Sequence, residues 1–378
     1  VTPYEFDIAL VGGGLQSCLA LLALAAARPA ARVIVIERDA ALCGNHTWCF
    51  HAGDVPAELA AAIEPAVAHR WSGYDVAFAG FARTLDAPYA AITSQSLAAA
   101  AARTGFTIAT RCDAVRIGAH DVALADGRVL TARHVIDARG PDRFHCERTA
   151  FQKFVGLELV LSRSHAMTRP ILIDARLAQT DGFRFMYVLP LGDRRVLVED
   201  TYFSDSPVLD DAAIRSEILA YAATRFELDA IAREERGVLP LPLKSAEPSD
   251  WRDDAPIAAG YRGGWFHPTT GYSLPVALRV AAFIATELDR ADAPARWNQL
   301  VAEQRRQLRF ALRLNRMLFR WFAPAQRHHV LARFYRAPEP TVRRFYALRT
   351  TAGDRARILI GRPPRGLSLR AMFGGKAA

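Results

Sequence analysis

A strand, a glycine turn, a helix and a second strand ending in an acid open this chain, and that order leaves few folds available. Asp7-Ile8-Ala9-Leu10-Val11 reads as a buried strand. It runs into Gly12-Gly13-Gly14 and then into an apolar helix-like run from Leu15 to Ala27. Arg32-Val33-Ile34-Val35-Ile36 is a second strand, and Glu37 follows it. This is a βαβ unit of a nucleotide-binding α/β domain. Glycines permit the tight turn and let the backbone approach a pyrophosphate, while the helix start offers free N–H groups to that anion. Gly12, Gly13, Gly14 and Leu15 are the candidate contacts. Glu37 lies about 20 residues further on, where a carboxylate accepts ribose hydroxyls. Ser17 stands where the third glycine of the fingerprint falls, and a residue that small still allows close helix–strand packing.

With 378 residues the chain can bury a large core and divide into two or more domains. Hydrophobic content of 51% and charged content of 23% describe a globular protein. The apolar runs stop short of membrane-spanning length, the first of them at Arg28. Because the first strand starts at Asp7, no room is expected for a signal peptide. The five cysteines (Cys18, Cys43, Cys49, Cys112, Cys146) show no CxxC spacing. They point to a reducing cytoplasm and away from a metal site or disulfide framework. A net charge of +9 is carried almost wholly by arginine, with lysine only at Lys153, Lys244 and Lys376. Such a surface suits nucleic acid or anionic lipid. No nucleic-acid motif is present, so lipid is the favoured partner.

Further along, Phe106 to Ala138 reads as strands with a hairpin turn at Asp126-Gly127, ending at Arg139-Gly140. Residues from Phe151 to Tyr202 are strand-rich. Phe183 to Val188 and Arg195 to Thr201 form a hairpin around Leu191-Gly192-Asp193-Arg194. Asp210 to Phe226 is helical, a second helix runs to about Asp289, and the remainder from about Ala295 is helical and arginine-rich. The nucleotide domain is thereby split: residues 1–140 and 237–290 form its two parts, 141–236 a β-rich substrate domain, and 291–378 a helical, membrane-facing region. A discontinuous Rossmann-type domain with an inserted antiparallel sheet is the architecture of the hydroxylase-like flavoproteins.

Three stretches stand out for chemistry. They are Gly44-Asn45-His46-Thr47-Trp48, Val198-Glu199-Asp200-Thr201 and Phe266-His267-Pro268-Thr269-Thr270-Gly271-Tyr272-Ser273-Leu274-Pro275. With Gly237-Val238-Leu239-Pro240, Asn315-Arg316-Met317-Leu318-Phe319 and Arg333-Phe334-Tyr335, they resemble the bacterial lycopene β-cyclases over essentially the whole chain. The resemblance implies an FAD-dependent enzyme, peripheral to the membrane, that closes the acyclic ψ-ends of lycopene into β-ionone rings. It implies reduced FAD acting without net redox change, with NAD(P)H as reductant of the flavin. Lycopene and other acyclic carotenoids would be its substrates.

The residues carry a physical reading beside that resemblance. The loop from Phe266 precedes a helix, with Ser273 at its N-cap and Pro275 in the first turn. A helix start there aims N–H groups at the pyrimidine edge of a flavin, which makes Thr270, Gly271, Ser273 and Leu274 cofactor candidates. Similar flavoenzymes carry Gly-x-Gly at this point, whereas this chain has Gly271-Tyr272-Ser273. Gly263-Gly264 also replaces the usual Gly-Asp before the loop. The family reading adds Asn45 and His46 beside the flavin, and Gly140 closes the cofactor set.

Strand alternation sends Glu199 and Asp200 to opposite faces, so only one can enter a given pocket. A carboxylic acid in an apolar pocket stays protonated and serves as a general acid. By themselves the residues also read as a charged strand end in solvent; the resemblance implies that the acidic pair lies at the active site, with Glu199 expected to be the acid and Asp200 orienting it or making a structural hydrogen bond. Phe183, Phe185, Tyr187, Trp48 and Tyr272 offer faces to a carbocation or pack the core. His267, like His46, is a base, a flavin hydrogen-bond donor or a satisfied structural histidine. Arg309, Arg313, Arg316 and Arg320 share one helix face, suited to an anionic membrane or simply solvated over a packed core. The alternative function is an FAD-dependent reductase or monooxygenase acting on an isoprenoid lipid.

Overall fold

The computed structural model describes residues 4–140, 149–244 and 247–368; Cys146 and Lys376 lie outside them. The strand Phe6–Val11 is central to a seven-stranded sheet. Val33–Ile36 and Val129–Asp137 flank it in parallel, and Thr107–Ala109 extends the sheet beyond Val33–Ile36. Val33–Ile36 is buried throughout, as an apolar run covered on both faces should be. Asp121–Leu124 and Ala114–Ile117 continue the sheet antiparallel, and the expected turn is present, with Gly127 at φ +88°. Helices Leu15–Ala27, Ser94–Ala102 and Leu274–Thr286 share the core on one side. Ile257–Ala258 pairs in parallel with Val129–Asp137, so the chain returns to the sheet it began in. The nucleotide domain is discontinuous, as expected.

A second seven-stranded sheet is built mainly from the β-rich middle of the chain. Its order is Leu228–Pro242, Thr149–Leu161, Arg195–Ser204, Phe183–Gly192, Ile171–Asp174, Tyr74–Phe78, Phe81–Leu85. The last two strands come from inside residues 1–140, and the first runs past 236, so the proposed domain boundaries do not follow the sheets. Ile171–Asp174 pairs in parallel with Tyr74–Phe78, a partner about a hundred residues away that no local pattern announces. Helix Asp211–Ala223, capped by Asp210, covers one face of this sheet. The other face looks toward a small sheet of Thr47–His51, Tyr89–Thr93 and His69–Trp71 and toward the C-terminal helices.

The 29-residue helix Ala293–Trp321 settles part of the arginine question. Leu308, Phe310, Ala311, Leu312, Leu318 and Phe319 are buried in the core, while Arg309, Arg313 and Arg320 are exposed. Arg316 is half-buried and donates to the Leu243 carbonyl. The stripe is solvated over a packed face. Among the described residues no helix is long and apolar enough to cross a membrane.

Candidate active site

The glycine turn is shaped by packing on one side and open on the other. Gly12 has φ +96°, and a Cβ there would meet the Ala138 carbonyl oxygen at 3.0 Å. A Cβ on Gly13 would meet Leu42 Cδ2 at 2.4 Å. Gly14, the N-cap of helix Leu15–Ala27, makes no side-chain cap bond and faces nothing within 4 Å. Gly44 and Gly140 likewise face open space. Glu37 reaches the turn, where its carboxylate accepts from the Gly13 and Asp39 N–H groups. Asp137 is tied by two bonds to Arg139 behind it. Free helix N–H groups, three uncrowded glycines and a carboxylate fit the diphosphate and ribose of a dinucleotide.

A cavity of about 680 Å³ lies between the second sheet, the small sheet and the C-terminal helices. That is a size typical of an enclosed ligand site. Trp48, Phe183, Phe185, Tyr187 and Tyr272 all line it, with Tyr89 in addition. Asn45, His46, Thr270, Gly271, Ser273 and Leu274 line it too.

Glu199 and Asp200 part as alternation requires. Glu199 lines the cavity and accepts from the Thr201 hydroxyl at 2.6 Å. Burial pushes its carboxyl up to about 8, with the nearby Glu235 carboxylate adding to the rise. Asp200 points to the opposite face, fully buried. It accepts from Arg184 at 2.7 Å and from the Tyr202 hydroxyl at 2.9 Å. Arg184 also reaches Glu217 on the covering helix. Asp200 is thus part of a structural ion pair and does not face the cavity.

The other candidates divide in the same way. His267 is fully buried and outside the cavity lining. Its Nε2 bonds to the Phe345 carbonyl at 3.0 Å and its Nδ1 accepts from the Thr269 N–H at 3.1 Å. Burial drives its pKa down to about 3. Both ring nitrogens are spent holding the loop, so the expected catalytic role for His267 is not what this geometry offers. His46 lines the cavity, its ring against Trp48 and Phe154, and burial lowers its pKa. Asn45 is held by Arg233 and the Glu234 carbonyl. Ser273 sits at the N-cap of Leu274–Thr286 and its hydroxyl makes no cap bond; Pro275 has no N–H and the Val276 N–H donates to the Ser273 carbonyl, so the Leu274 N–H is the one this helix start offers to a ligand. Gly271 is at φ +67°, a conformation that favours glycine. The Tyr272 hydroxyl donates to Asp54 at 2.8 Å. Asp54 also holds the His51 N–H, and His51 lines the cavity beside Tyr89. Asp54, His51, Tyr89 and Glu235 were not singled out by sequence; the first three sit in short elements without a motif, and Glu235 lies in the long strand Leu228–Pro242, whose pattern does not mark it.

Comparisons with known proteins agree with one another. Residues 7–372 match the family model described as Lycopene cyclase protein. A curated lycopene beta-cyclase of Pseudescherichia vulneris is 41% identical over 364 residues, covering 95% of this chain and 94% of that protein. Among solved structures, a geranylgeranyl bacteriochlorophyll reductase-like protein of Thermoplasma acidophilum is similar with a TM-score of 0.62 at 12% identity. The match covers 94% of this chain and 95% of that one. The myxobacterial chondrochloren halogenase CndH, described as a variant of FAD-dependent halogenases, has a TM-score of 0.56 at 16% identity, covering 81% and 80%. At such identities these two structures speak to the fold, which is that of the hydroxylase- and halogenase-like flavoproteins.

Proposed function

The chain belongs to the lycopene cyclase family, and on that footing we propose that it is a lycopene β-cyclase in which Glu199 is the general acid. The observation that carries this is a buried carboxyl facing an aromatic cavity, where burial raises its pKa. Glu199 delivers a proton to C2 of the terminal double bond of the ψ-end. The C1 cation so formed is attacked by the C5–C6 double bond, and loss of the C6 proton leaves the β-ring. One proton enters and one leaves, so substrate and product are isomers. Thr201 fixes the acid by its bond to Oε1. Phe183, Phe185, Tyr187, Trp48 and Tyr272 exclude water and offer π-faces to the cation. Gly12, Gly13, Gly14, Leu15, Glu37 and Gly140 would hold the diphosphate end of FAD. Asn45, His46, Thr270, Gly271, Ser273 and Leu274 would hold its flavin end. Reduced FAD, recharged by NAD(P)H, would supply negative charge beside the cation with no net electron transfer.

The test is an anaerobic assay with lycopene in liposomes, FAD and a chemical reductant. Cyclised product at many turnovers per flavin, with no further reductant consumed, is the expected result. Product matched one-for-one by flavin oxidation, or a reduced or hydroxylated product, would assign the chain to the redox enzymes instead.

The cavity also supports contact with a membrane. Leu359 lines it and is 40% exposed, and its neighbour Ile360 is 73% exposed. Met317 and Trp321, which line the cavity, also line a surface hollow with Arg313, Arg316 and Arg320. A basic rim around an apolar opening suits uptake of a hydrocarbon from an anionic bilayer. Replacing Arg309, Arg313 and Arg320 together by Gln is expected to weaken binding to anionic vesicles about 10²-fold, at ~1 kcal/mol per arginine. Binding to neutral vesicles should change little. Unchanged partitioning onto anionic vesicles would rule this surface out.

A further inference from the structure

Glu199 is not alone in its half of the sheet. In the register of the three strands, Gly156 pairs with Glu199 on one side and with Glu235 on the other. Residues in line on strands two apart are about 9–10 Å apart at Cα, normally with a middle side chain between them. Here the middle residue is glycine. A Cβ on Gly156 would lie 3.1 Å from Glu235 Cγ and 3.4 Å from Glu199 Cβ. The missing side chain leaves room for the two glutamates to approach each other above the backbone of Gly156.

We propose that Glu199 and Glu235 form a carboxylic acid–carboxylate pair across Gly156, with Glu235 the positioning residue that keeps the proton on Glu199. This deepens the reading of Glu199 as the acid and rests on it. Glu235 is buried, and its Oε2 accepts from Arg233 at 2.6 Å and from the Thr47 hydroxyl at 3.0 Å. Its Oε1 is buried without a hydrogen-bond partner. A buried acceptor in that state is costly, and a protonated Glu199 donating to it removes the cost. Thr201 occupies Oε1 of Glu199, which leaves Oε2 to carry the proton. The charge belongs on Glu235, because a guanidinium and a hydroxyl already stabilise it, whereas Glu199 faces the aromatic cavity.

The groups around the pair are consistent with one shared proton. Arg233, the nearest cation, is also held by Glu158 and Asn45. Tyr187 stands opposite Glu199 on the next strand. His46 and Cys49 face the pair from the small sheet's side, and burial keeps both of them neutral. Asp200 lies behind the sheet, neutralised by Arg184. Two carboxylates this close cannot both ionise cheaply, so loss of the proton to substrate leaves a strong drive to reload it.

The experiment is an infrared pH titration of the purified flavin-loaded protein without substrate, with cyclase pH profiles alongside. Wild type should show the carbonyl stretch of a buried carboxylic acid at pH 7, and Glu199→Gln should abolish it. Glu235→Gln removes the neighbouring charge and offers an N–H to ionised Glu199. It should move the loss of the band, and the alkaline limb of turnover, down by at least one pH unit. Thr47→Val weakens the anionic partner and should move both upward. A merely structural role would not shift the two variants in opposite directions. If both variants titrate where wild type does, the pair is overturned while Glu199 survives as the acid. If wild type has no band that depends on Glu199, the acid assignment itself falls.

Discussion

Glu199→Gln is expected to bind FAD as the parent does and to lose cyclase turnover by about 10²–10⁴-fold, the contribution typical of a positioned general acid. The amide keeps the shape of the side chain and the bond to Thr201 but has no acidic proton to give. The pH dependence of the parent follows from the same group. A group that must donate is active while protonated, so turnover holds below about 8 and falls as pH rises through it. Single-turnover cyclisation under reducing, anaerobic conditions measures both. Turnover near the parental rate in Glu199→Gln would move the acid elsewhere, with His51, which lines the cavity and has Asp54 behind it, the next candidate.

Arg184→Leu is expected to cost about 3–5 kcal/mol of stability. The substitution strips a fully buried Asp200 of its bonded cation and leaves the carboxylate with only the Tyr202 hydroxyl. Burial already raises the Asp200 carboxyl against the opposing pull of Arg184, so without the cation it is driven further toward the neutral form. Replacing both partners by leucine should recover much of the loss, because no uncompensated charge remains. Denaturant unfolding of the flavin-loaded protein measures this. If Arg184→Leu unfolds at the parental midpoint, the ion pair is not what braces the strand beneath Glu199. Asp200→Asn separates the two roles of the acidic dipeptide, since it weakens the bracing face while leaving the cavity carboxyl in place.

The membrane-facing reading of the C-terminal helix illustrates how far pattern alone reaches. Spacing placed Arg309, Arg313, Arg316 and Arg320 on one face, and they do share it. Spacing could not tell whether the opposite face met lipid or protein, because either environment accepts Leu308, Leu312 and Phe319. The packed core decides for protein along most of the helix. It leaves Met317 and Trp321 at the opening, next to Leu359 from a helix nearly forty residues later.

What the chain determined by itself was local and periodic. The strand–glycine–helix–strand–acid order needs no distant partner to be read, since each residue's role follows from its neighbours and from backbone sterics. The opposite faces of Glu199 and Asp200 follow from the pleat alone. The identity of the family also came from short runs of residues. The tertiary structure decided everything that depends on register between strands far apart in the chain. Tyr74–Phe78 joins the second sheet because the free edge of Ile171–Asp174 pairs with it. His267 is spent on a carbonyl contributed by Phe345, out of reach of any local pattern. Gly156, unremarkable in sequence, matters because pairing on both its edges sets Glu199 against Glu235. Backbone hydrogen bonding between strands fixes such neighbours, and a linear sequence does not contain that register.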